Sequence, residues 1–115
     1  MRSKFDKQLQ NLNNEMIDMS NLIVANITAA IKAMKEKDRE LAHAIYEKDS
    51  EVDSAQKRIE SLCFDLLVQQ QPVARDLRTI TAAMKMVTDM ERIGDHAADI
   101  SEITESMGDS SHIEK

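Results

Sequence analysis

Apolar residues recur at alternating intervals of three and four along the first third of the chain. The run extends from about Lys4 to about Lys35, with asparagine, glutamine, glutamate and lysine between the apolar positions. This spacing is typical of a helix that packs along one seam in a bundle. We predict that the seam comprises Phe5, Leu9, Leu12, Met16, Met19, Ile23, Ile27, Ala30 and Met34.

A short reversal at residues 35–38 precedes the second predicted helix, and Asp38 is a suitable N-cap for it. The helix ends near Gln71. Asp49 and Gln56 fall in phase with its seam, where polar groups cost free energy unless they are satisfied. The apolar seam positions of this helix are Leu41, Ile45, Val52, Ile59, Cys63 and Leu66.

The third predicted helix begins at Pro72, where the missing N–H costs nothing. Its seam is interrupted at Glu91 and Gly94, and Gly108 marks its end. We therefore expect residues 1–106 to form an all-α, antiparallel three-helix bundle and residues 107–115 to form a disordered tail. Before the interruption, the seam reads Val73, Leu77, Ile80, Met84 and Val87.

The composition supports a few long helices. The 115 residues are 42% hydrophobic and 31% charged, and they include only two glycines and one proline, too few for a fold rich in tight turns. A net charge of -6 disfavours nucleic acid as a partner. The single Cys63, the absence of a membrane-length apolar run and the lack of a signal peptide lead us to expect a cytoplasmic protein.

Two acidic pairs carry the candidate chemistry. Asp49 and Asp53 are four residues apart, as are Glu91 and Asp95, so each pair leaves one face of its helix. A hairpin that turns at Pro72 brings the two pairs to the same height. Clustered carboxylates repel one another, and a cation relieves that repulsion. Hard oxygen ligands favour magnesium, calcium, manganese or iron.

A structural interpretation of the same residues is also open. Asp53 can pair with Lys57, and Arg92 with Asp95, as ordinary neighbours on a helix surface. Asp49 or Ser50 can instead cap a helix that restarts after a kink at Lys48. In this interpretation Gly94 only permits close packing between helices.

The remaining reactive side chains form no catalytic arrangement. His96 neighbours the acidic pairs and is either a possible outer ligand or an ordinary exposed histidine, whereas His43 and His112 belong to no supporting constellation. Cys63 fits a small core position. The exposed face of the third helix includes Arg75 and Arg78, which suit either solvent or an anion. The chain contains neither a nucleophile–base arrangement nor the two Glu-x-x-His motifs that a di-iron bundle requires, so we predict no enzymatic activity.

Several segments together resemble the PhoU family of phosphate-signalling proteins. The resemblance rests on residues 69–78, from the glutamine run to Arg78, and on residues 89–97, which read Asp-Met-Glu-Arg-Ile-Gly-Asp-His-Ala. The opening residues 1–9 and the segment Asp49–Asp53 match the family pattern too. In all, the resemblance covers about residues 1–105.

The resemblance implies a metal site. Family members carry Glu/Asp-x-x-x-Asp motifs, which correspond here to the pairs Asp49/Asp53 and Glu91/Asp95. These motifs are associated with multinuclear iron or zinc clusters, or with magnesium or manganese. Gln56 stands where many relatives have an acidic residue, which would thin the metal shell.

The resemblance also implies a regulatory role. Family members negatively regulate phosphate uptake and the phosphate-starvation two-component response. Their expected partners are the ATPase subunit of the phosphate transporter and a membrane sensor histidine kinase, so contact with the membrane is peripheral. The family bundle is usually present twice in one chain. We therefore expect either that residues 107–115 lead to a second repeat or that the chain forms a homodimer.

Three alternatives to this regulatory adaptor stay open. The first is a metal-free helical interaction module, with the acidic residues simply solvated. The second is a PhoU-like domain associated with a phosphate permease. The third is a hydrolase that uses a metal-bound water.

Overall fold

The structure is a computed structural model that describes residues 2–69 and 72–110, with side chains over 4–68 and 72–107. The helices are α1 (Arg2–Glu36), α2 (Arg39–Glu47), α3 (Asp49–Gln69) and α4 (Ala74–Ser110). Together α2 and α3 run antiparallel to α1 and α4, and the three rods form a bundle of 67 × 17 × 16 Å. The predicted all-α, antiparallel three-helix bundle is confirmed. Over the described ranges, no helix has the length and apolar character needed to cross a membrane.

The reversal between α1 and α2 is a Schellman motif. Lys37 adopts a left-handed conformation with a φ of 57°. The Asp38 N–H donates to the Ala33 carbonyl at 2.9 Å, and the Lys37 N–H donates to Met34 at 3.4 Å. The Asp38 side chain then accepts from the Leu41 N–H at 3.0 Å. The predicted N-cap is therefore confirmed.

The second predicted helix is broken at Lys48, so its prediction as one continuous helix is wrong. The Lys48 N–H closes α2 on the Ala44 and Ile45 carbonyls at 3.2 and 3.0 Å. The Lys48 carbonyl accepts from the Glu51 N–H at 2.9 Å, which starts α3. This break places Asp49 in the first turn of α3, where the helix dipole favours a carboxylate.

Both ends of α4 differ from the prediction by two residues. The helix begins at Ala74, and the Val73 carbonyl accepts its first bond from the Leu77 N–H at 2.9 Å. At the other end α4 continues through Gly108 to Ser110, because a single glycine costs a helix only about 1 kcal/mol. Residues 107–110 of the predicted tail are thus helical, and 111–115 lie outside the described residues.

The core fills two parts of the rod. The smaller part, around α2, is rich in alanine and contains Ala30, Ala33, Ala42, Ile45 and Ala97. The larger part joins α1, α3 and α4, and Cys63 lies fully buried within it, as predicted. Its buried members are Phe5, Leu12, Met19, Ile23, Val52, Ala55, Ile59, Cys63, Leu66, Ile80, Ala83 and Val87.

The predicted seam of α4 is partly wrong. Ile80 and Val87 are buried as predicted, but the other three predicted positions are exposed and the core instead receives Asp76 and Ala83. Relative to the prediction, α4 is rotated about its axis so that the small side chain of Ala83 faces the core, where it allows close packing. The larger predicted side chains face the surface instead. Met34 of the first predicted seam is exposed as well. The exposed seam residues of α4 are Val73, Leu77 and Met84.

Candidate metal centre

The structure brings the four predicted carboxylates together. Asp49 and Asp53 project from the first two turns of α3, and one carboxylate oxygen from each lies within 4.8 Å of the other and of an oxygen of Asp95 on α4. Glu91 shares a hydrogen bond with Asp95. We refer to Asp49, Asp53, Glu91 and Asp95 as the acidic cluster. It joins α3 to α4.

Gly94 sets the distance between these two helices. It is buried, and a Cβ added to it would lie 3.1 Å from Cγ1 of Val52 on α3 and 3.6 Å from Cγ1 of Ile23 on α1. A methyl group there would be tighter than ordinary packing allows. The close approach that the sequence predicts for Gly94 is confirmed. It allows the carboxylates on either side of this glycine to come within reach of those on α3.

Burial and electrostatic repulsion act in the same direction at Asp49. Partial burial raises the pKa of this carboxyl, and the negative charges of Asp53, Asp95 and Asp99 raise it further. Each of these causes disfavours the ionised form. Among the described side chains, no basic group forms an ion pair with this carboxylate in the first turn of α3.

The effect is larger at Glu91. Its hydrogen bond with Asp95, its burial and the charges of Asp95, Asp53 and Asp49 raise the pKa of the Glu91 carboxyl to about 7. Two carboxyl groups can share a hydrogen bond only if one of them keeps its proton. The folded protein therefore binds a proton at this carboxyl more tightly than an isolated glutamate would. A cation bound there would displace that proton.

The surface-pair interpretation is wrong for the described residues. Arg92 Nη1 lies 3.8 Å from Oδ1 of Asp89 rather than pairing with Asp95. Among the described side chains, no lysine, arginine or histidine forms an ion pair with a member of the acidic cluster. Gln56 donates to Glu60 Oε2 at 3.3 Å along its own helix.

The kink that the capping alternative requires is present, but Ser50 does not cap α3. The Ser50 hydroxyl donates to the Glu47 carbonyl at 3.3 Å, so its oxygen serves the end of α2. An N-cap side chain would instead accept from the following backbone N–H groups. Asp49 lies inside the first turn of α3, and its carboxylate faces the other acids.

Asp99 is the acidic residue that sequence reasoning missed. It lies one turn beyond Asp95 on α4 and is close enough to raise the pKa of Asp49. The signal was present as a spacing of four that continues through residues 91, 95 and 99.

The other reactive residues lie apart from the cluster. His43 bridges Glu47 Oε1 at 3.2 Å and Glu105 Oε2 at 3.0 Å. His96 is exposed, and His112 lies outside the described residues. Burial, together with the charge of Glu60, raises the pKa of the Cys63 thiol, so this cysteine is a poor nucleophile. The exposed arginines are Arg75 and Arg78.

The acidic cluster suits a hard cation. Carboxylate oxygens are the ligands that magnesium, calcium, manganese and iron prefer, and neighbouring ligand oxygens around such ions lie about 3 Å apart. Oxygens that already lie within 4.8 Å of one another need only small rotamer changes to reach that spacing. Asp49, Asp53 and Asp95 would hold the ion, and Glu91 would bind beside them after losing its proton.

Comparison with known proteins identifies the family. Residues 16–104 match the PhoU domain, which is most of the chain. The chain belongs to the PhoU family. A PhoU homologue from Clostridium acetobutylicum, named a phosphate-specific transport system accessory protein, is 37% identical over 112 residues. The chain aligns over 96% of its own length and 51% of that relative.

Two further PhoU proteins support the same family assignment. A homologue from Streptococcus pneumoniae with the same accessory-protein name is 37% identical over 100 residues, which is 87% of this chain and 46% of the relative. The crystal structure of PhoU from Pseudomonas aeruginosa superposes with a TM-score of 0.89 at 28% identity, covering 92% of this chain and 51% of that one. The chain thus spans about half the length of the curated relatives it matches.

Proposed function

We propose that this PhoU domain is a metal-binding regulatory adaptor of phosphate homeostasis. It restrains phosphate uptake and the phosphate-starvation two-component response by docking to the transporter ATPase subunit and to the sensor histidine kinase. It acts in the cytoplasm, touches membrane complexes only peripherally and catalyses no reaction. The relatives' name, accessory protein of a phosphate-specific transport system, supports the association with transport machinery.

One observation carries the metal-binding part of the proposal. Three carboxylate oxygens, from Asp49, Asp53 and Asp95, lie within 4.8 Å of one another across two helices, without a described basic partner. Like charges at this distance destabilise the fold unless a cation or a proton intervenes. When no cation is bound, the raised pKa of Glu91 favours binding of a proton among the same carboxylates.

Each helix contributes two ligands to the proposed site. Asp49 and Asp53 would coordinate a cation from α3, while Asp95 and Glu91 would coordinate it from α4. Bound iron, zinc, magnesium or manganese supplies positive charge that cancels the repulsion between these helices. The result is a rigid α3–α4 pair that presents one docking surface to the partner proteins. Metal content thereby controls how well the surface is ordered.

The test compares two double variants with equal charge changes. Asp49→Asn with Asp95→Asn removes one ligand from each helix, whereas Glu51→Gln with Glu102→Gln neutralises exposed acids elsewhere on α3 and α4. We expect the first variant to lose at least about 100-fold in affinity for manganese or iron, because two charged ligands are lost. Isothermal titration and elemental analysis measure this. The control should match the wild type.

Docking is measured on the same proteins. Binding to the purified ATPase subunit and to the kinase's cytoplasmic portion should weaken for the Asp49/Asp95 variant and for chelated wild type alike. Equal metal content in both variants would refute the metal site. Unchanged docking after metal loss would instead leave a metal-binding protein in which the ion has no adaptor role.

A metal-free interaction module is the second candidate. The observation that favours it is an exposed apolar surface between α1 and α4, on the side of α4 away from the acidic cluster. In that case the docking measured above survives chelation. The alternative of a domain associated with a phosphate permease predicts binding to that permease in place of the ATPase subunit.

A further inference from the structure

Charge is unevenly distributed along the rod. The contact of Gly94 on α4 with side chains of α3 and α1 fixes the relative heights of these helices. At one end of the rod, residues 2–14 of α1, 58–69 of α3 and 74–85 of α4 lie at the same heights, and they contain seven basic and four acidic residues, a formal charge of +3. The other residues of the chain sum to -9. We call the positive region the basic end.

The positive charge of the basic end is exposed. Lys4, Lys7, Arg75 and Arg78 are exposed side chains in the first two turns of α1 and α4. Among the acidic residues of the same region, Asp76 is only 5% exposed, so its carboxylate is withdrawn from the surface. The four basic groups come from two neighbouring helices at one height. They therefore act together on a surface that approaches this end.

Large apolar side chains are exposed at the same end. Phe64 and Val68 lie in the last two turns of α3, Val73 precedes α4, and Leu77 lies in the first turn of α4. Three of the four are more than half exposed, with Phe64 at 64%, and Leu77 is 43% exposed. Grouped apolar side chains of this size on a surface indicate a binding site. We refer to these four residues as the end patch.

We propose that the basic end binds the surface of an anionic lipid membrane. Lysine and arginine side chains close to such a surface are attracted by its negative potential. Phenylalanine, leucine and valine next to them enter the boundary between headgroups and acyl chains, while the cationic groups stay beside the lipid phosphates. The end patch and the four exposed basic residues supply both kinds of side chain within the same few turns.

The distribution of charge sets the orientation on the membrane. A chain with a net charge of -6 is repelled as a whole by an anionic surface. The Debye length at physiological ionic strength is about 8 Å, however, and the rod is 67 Å long. The membrane therefore attracts the basic end separately from the acidic remainder, and the rod stands on its end. From Ala74 to Glu91 is about 25 Å at the helical rise, so the acidic cluster stays clear of the bilayer.

The size of this end favours a membrane over a protein. The cross-section of the rod is 17 × 16 Å, on the order of 300 Å², whereas a standard protein interface buries roughly 800 Å² of each partner. A membrane needs no complementary shape, and its affinity comes from a few inserted side chains and from charge. An acidic surface of a partner protein is the other possible occupant, and the test separates the two.

The first measurement is co-sedimentation of the purified chain with vesicles. Vesicles of phosphatidylcholine alone are compared with vesicles that contain about 30% phosphatidylglycerol, an anionic lipid. We expect the chain to partition at least about tenfold more strongly onto the anionic vesicles, and raising the salt concentration to about 0.5 M should weaken this binding. A chelator is present throughout, so that no divalent cation bridges the acidic cluster to the lipid.

Two charge variants locate the site. Arg75→Gln with Arg78→Gln removes two positive charges from the basic end, and binding should weaken at least about tenfold. Lys32→Gln with Lys35→Gln makes the same change in net charge at exposed positions of the opposite end of the rod. This control should bind as the wild type does, because its charges lie several Debye lengths from the membrane.

Two further variants test the end patch without a change in charge. Phe64→Ser with Val73→Ser removes the apolar side chains that enter the membrane, and we expect binding to fall about tenfold. The control is Met34→Ser with Ile103→Ser, two exposed apolar side chains far from this end. Circular dichroism checks that all four variants remain helical.

A fluorescent label reports the orientation. An environment-sensitive fluorophore on Val68→Cys should brighten and shift to the blue when anionic vesicles are added, because position 68 enters the membrane boundary. The same label on Met34→Cys should not change. The native Cys63 is buried and stays unlabelled in both proteins.

The vesicle assay is independent of the proposed metal-binding function. The Asp49→Asn/Asp95→Asn variant alters charges about 25 Å from the basic end, so it should bind vesicles as the wild type does while it loses metal. Failure of one proposal is therefore distinguishable from failure of the other.

Three results would overturn the membrane proposal. Equal binding to neutral and anionic vesicles, or no binding to either, would remove the electrostatic attraction on which it depends. Equal weakening by the two charge variants would show that net charge matters and the basic end does not. Loss of docking to the ATPase subunit or the kinase in the Arg75/Arg78 variant, without vesicle binding by the wild type, would assign this end to a protein partner.

Discussion

The two sides of α4 present opposite physical problems. On the side that faces α3, it carries Glu91 and Asp95, which lie close to Asp49 and Asp53. No described basic side chain forms an ion pair with these acids. On the side that faces α1, it carries exposed apolar side chains, including Met86. One side has unbalanced charge and the other has uncovered apolar surface. The candidate functions proposed above assign one interaction to each side of this helix, an ion to the acidic side and a protein to the apolar side.

Gly94 connects these two sides, and its substitution should have the largest effect. Gly94→Leu pushes a side chain against Val52 and Ile23, which separates α4 from both neighbouring helices. We expect a loss of about 3 kcal/mol in unfolding free energy and a fall of about 10 °C in melting temperature. Thermal denaturation followed by circular dichroism measures it.

Gly94→Ala is the matched control. Its methyl group needs only a few tenths of an ångström of movement from Val52, and the better helix propensity of alanine offsets this by about 1 kcal/mol. The net change should be within about 1 kcal/mol. Equal melting temperatures for the leucine and alanine variants would show that α4 does not depend on this close approach.

The acidic side should respond to pH when metal is removed. The folded state raises the pKa of Glu91 from 4.5 to about 7, so it holds this proton more tightly than the unfolded chain does. The contribution of this group to the free energy of unfolding is therefore largest below about pH 4.5, and it is lost as the pH rises through 7. After allowance for solvent screening, we expect a loss on the order of 1 kcal/mol.

Melting temperatures of chelated protein between pH 5 and 8 measure this slope. Glu91→Gln should flatten it, because the titrating group is gone, and saturating metal should flatten it for the wild type. Met86→Ser, on the apolar side, should leave the slope unchanged. A wild-type slope that rises over this range would contradict the assignment.

The smallest effect is expected away from both surfaces. His43 bridges Glu47 and Glu105 and so ties α2 to the end of α4. These side chains are exposed, so His43→Ala should cost no more than about 1 kcal/mol in chemical denaturation. Metal affinity and vesicle binding should stay at their wild-type values. A change in either would show that this end of α4 is coupled to the acidic cluster or to the basic end.

The sequence predicted the clustering of the four acidic residues better than it predicted the seam of α4. The acidic cluster was predictable because Asp49/Asp53 and Glu91/Asp95 need only helical spacing and one hairpin to meet. The burial of Asp76 and Ala83 in place of Leu77 and Met84 was not, because Ile80 and Val87 fit either rotation of the helix. Which rotation is lower in free energy depends on packing against two other helices.

The break at Lys48 shows a second limit. Residues 41–66 carry one apolar repeat that passes straight through this position, and no glycine or proline marks a stop. The break costs few hydrogen bonds, since the Lys48 N–H and carbonyl both stay bonded. The break ends α2 and lets α3 begin at Asp49, whose pKa is raised in part by Asp99.

By itself, the sequence determined the number of rods, their antiparallel order, the N-cap at Asp38 and the helical spacing of the acids. These features depend on periodicity and on local backbone bonds, which neighbouring residues control. Only the tertiary structure decided how α4 is rotated, how closely Gly94 lets it approach and which apolar side chains remain uncovered. Those outcomes depend on the summed packing of three helices, and no segment of the chain contains that sum.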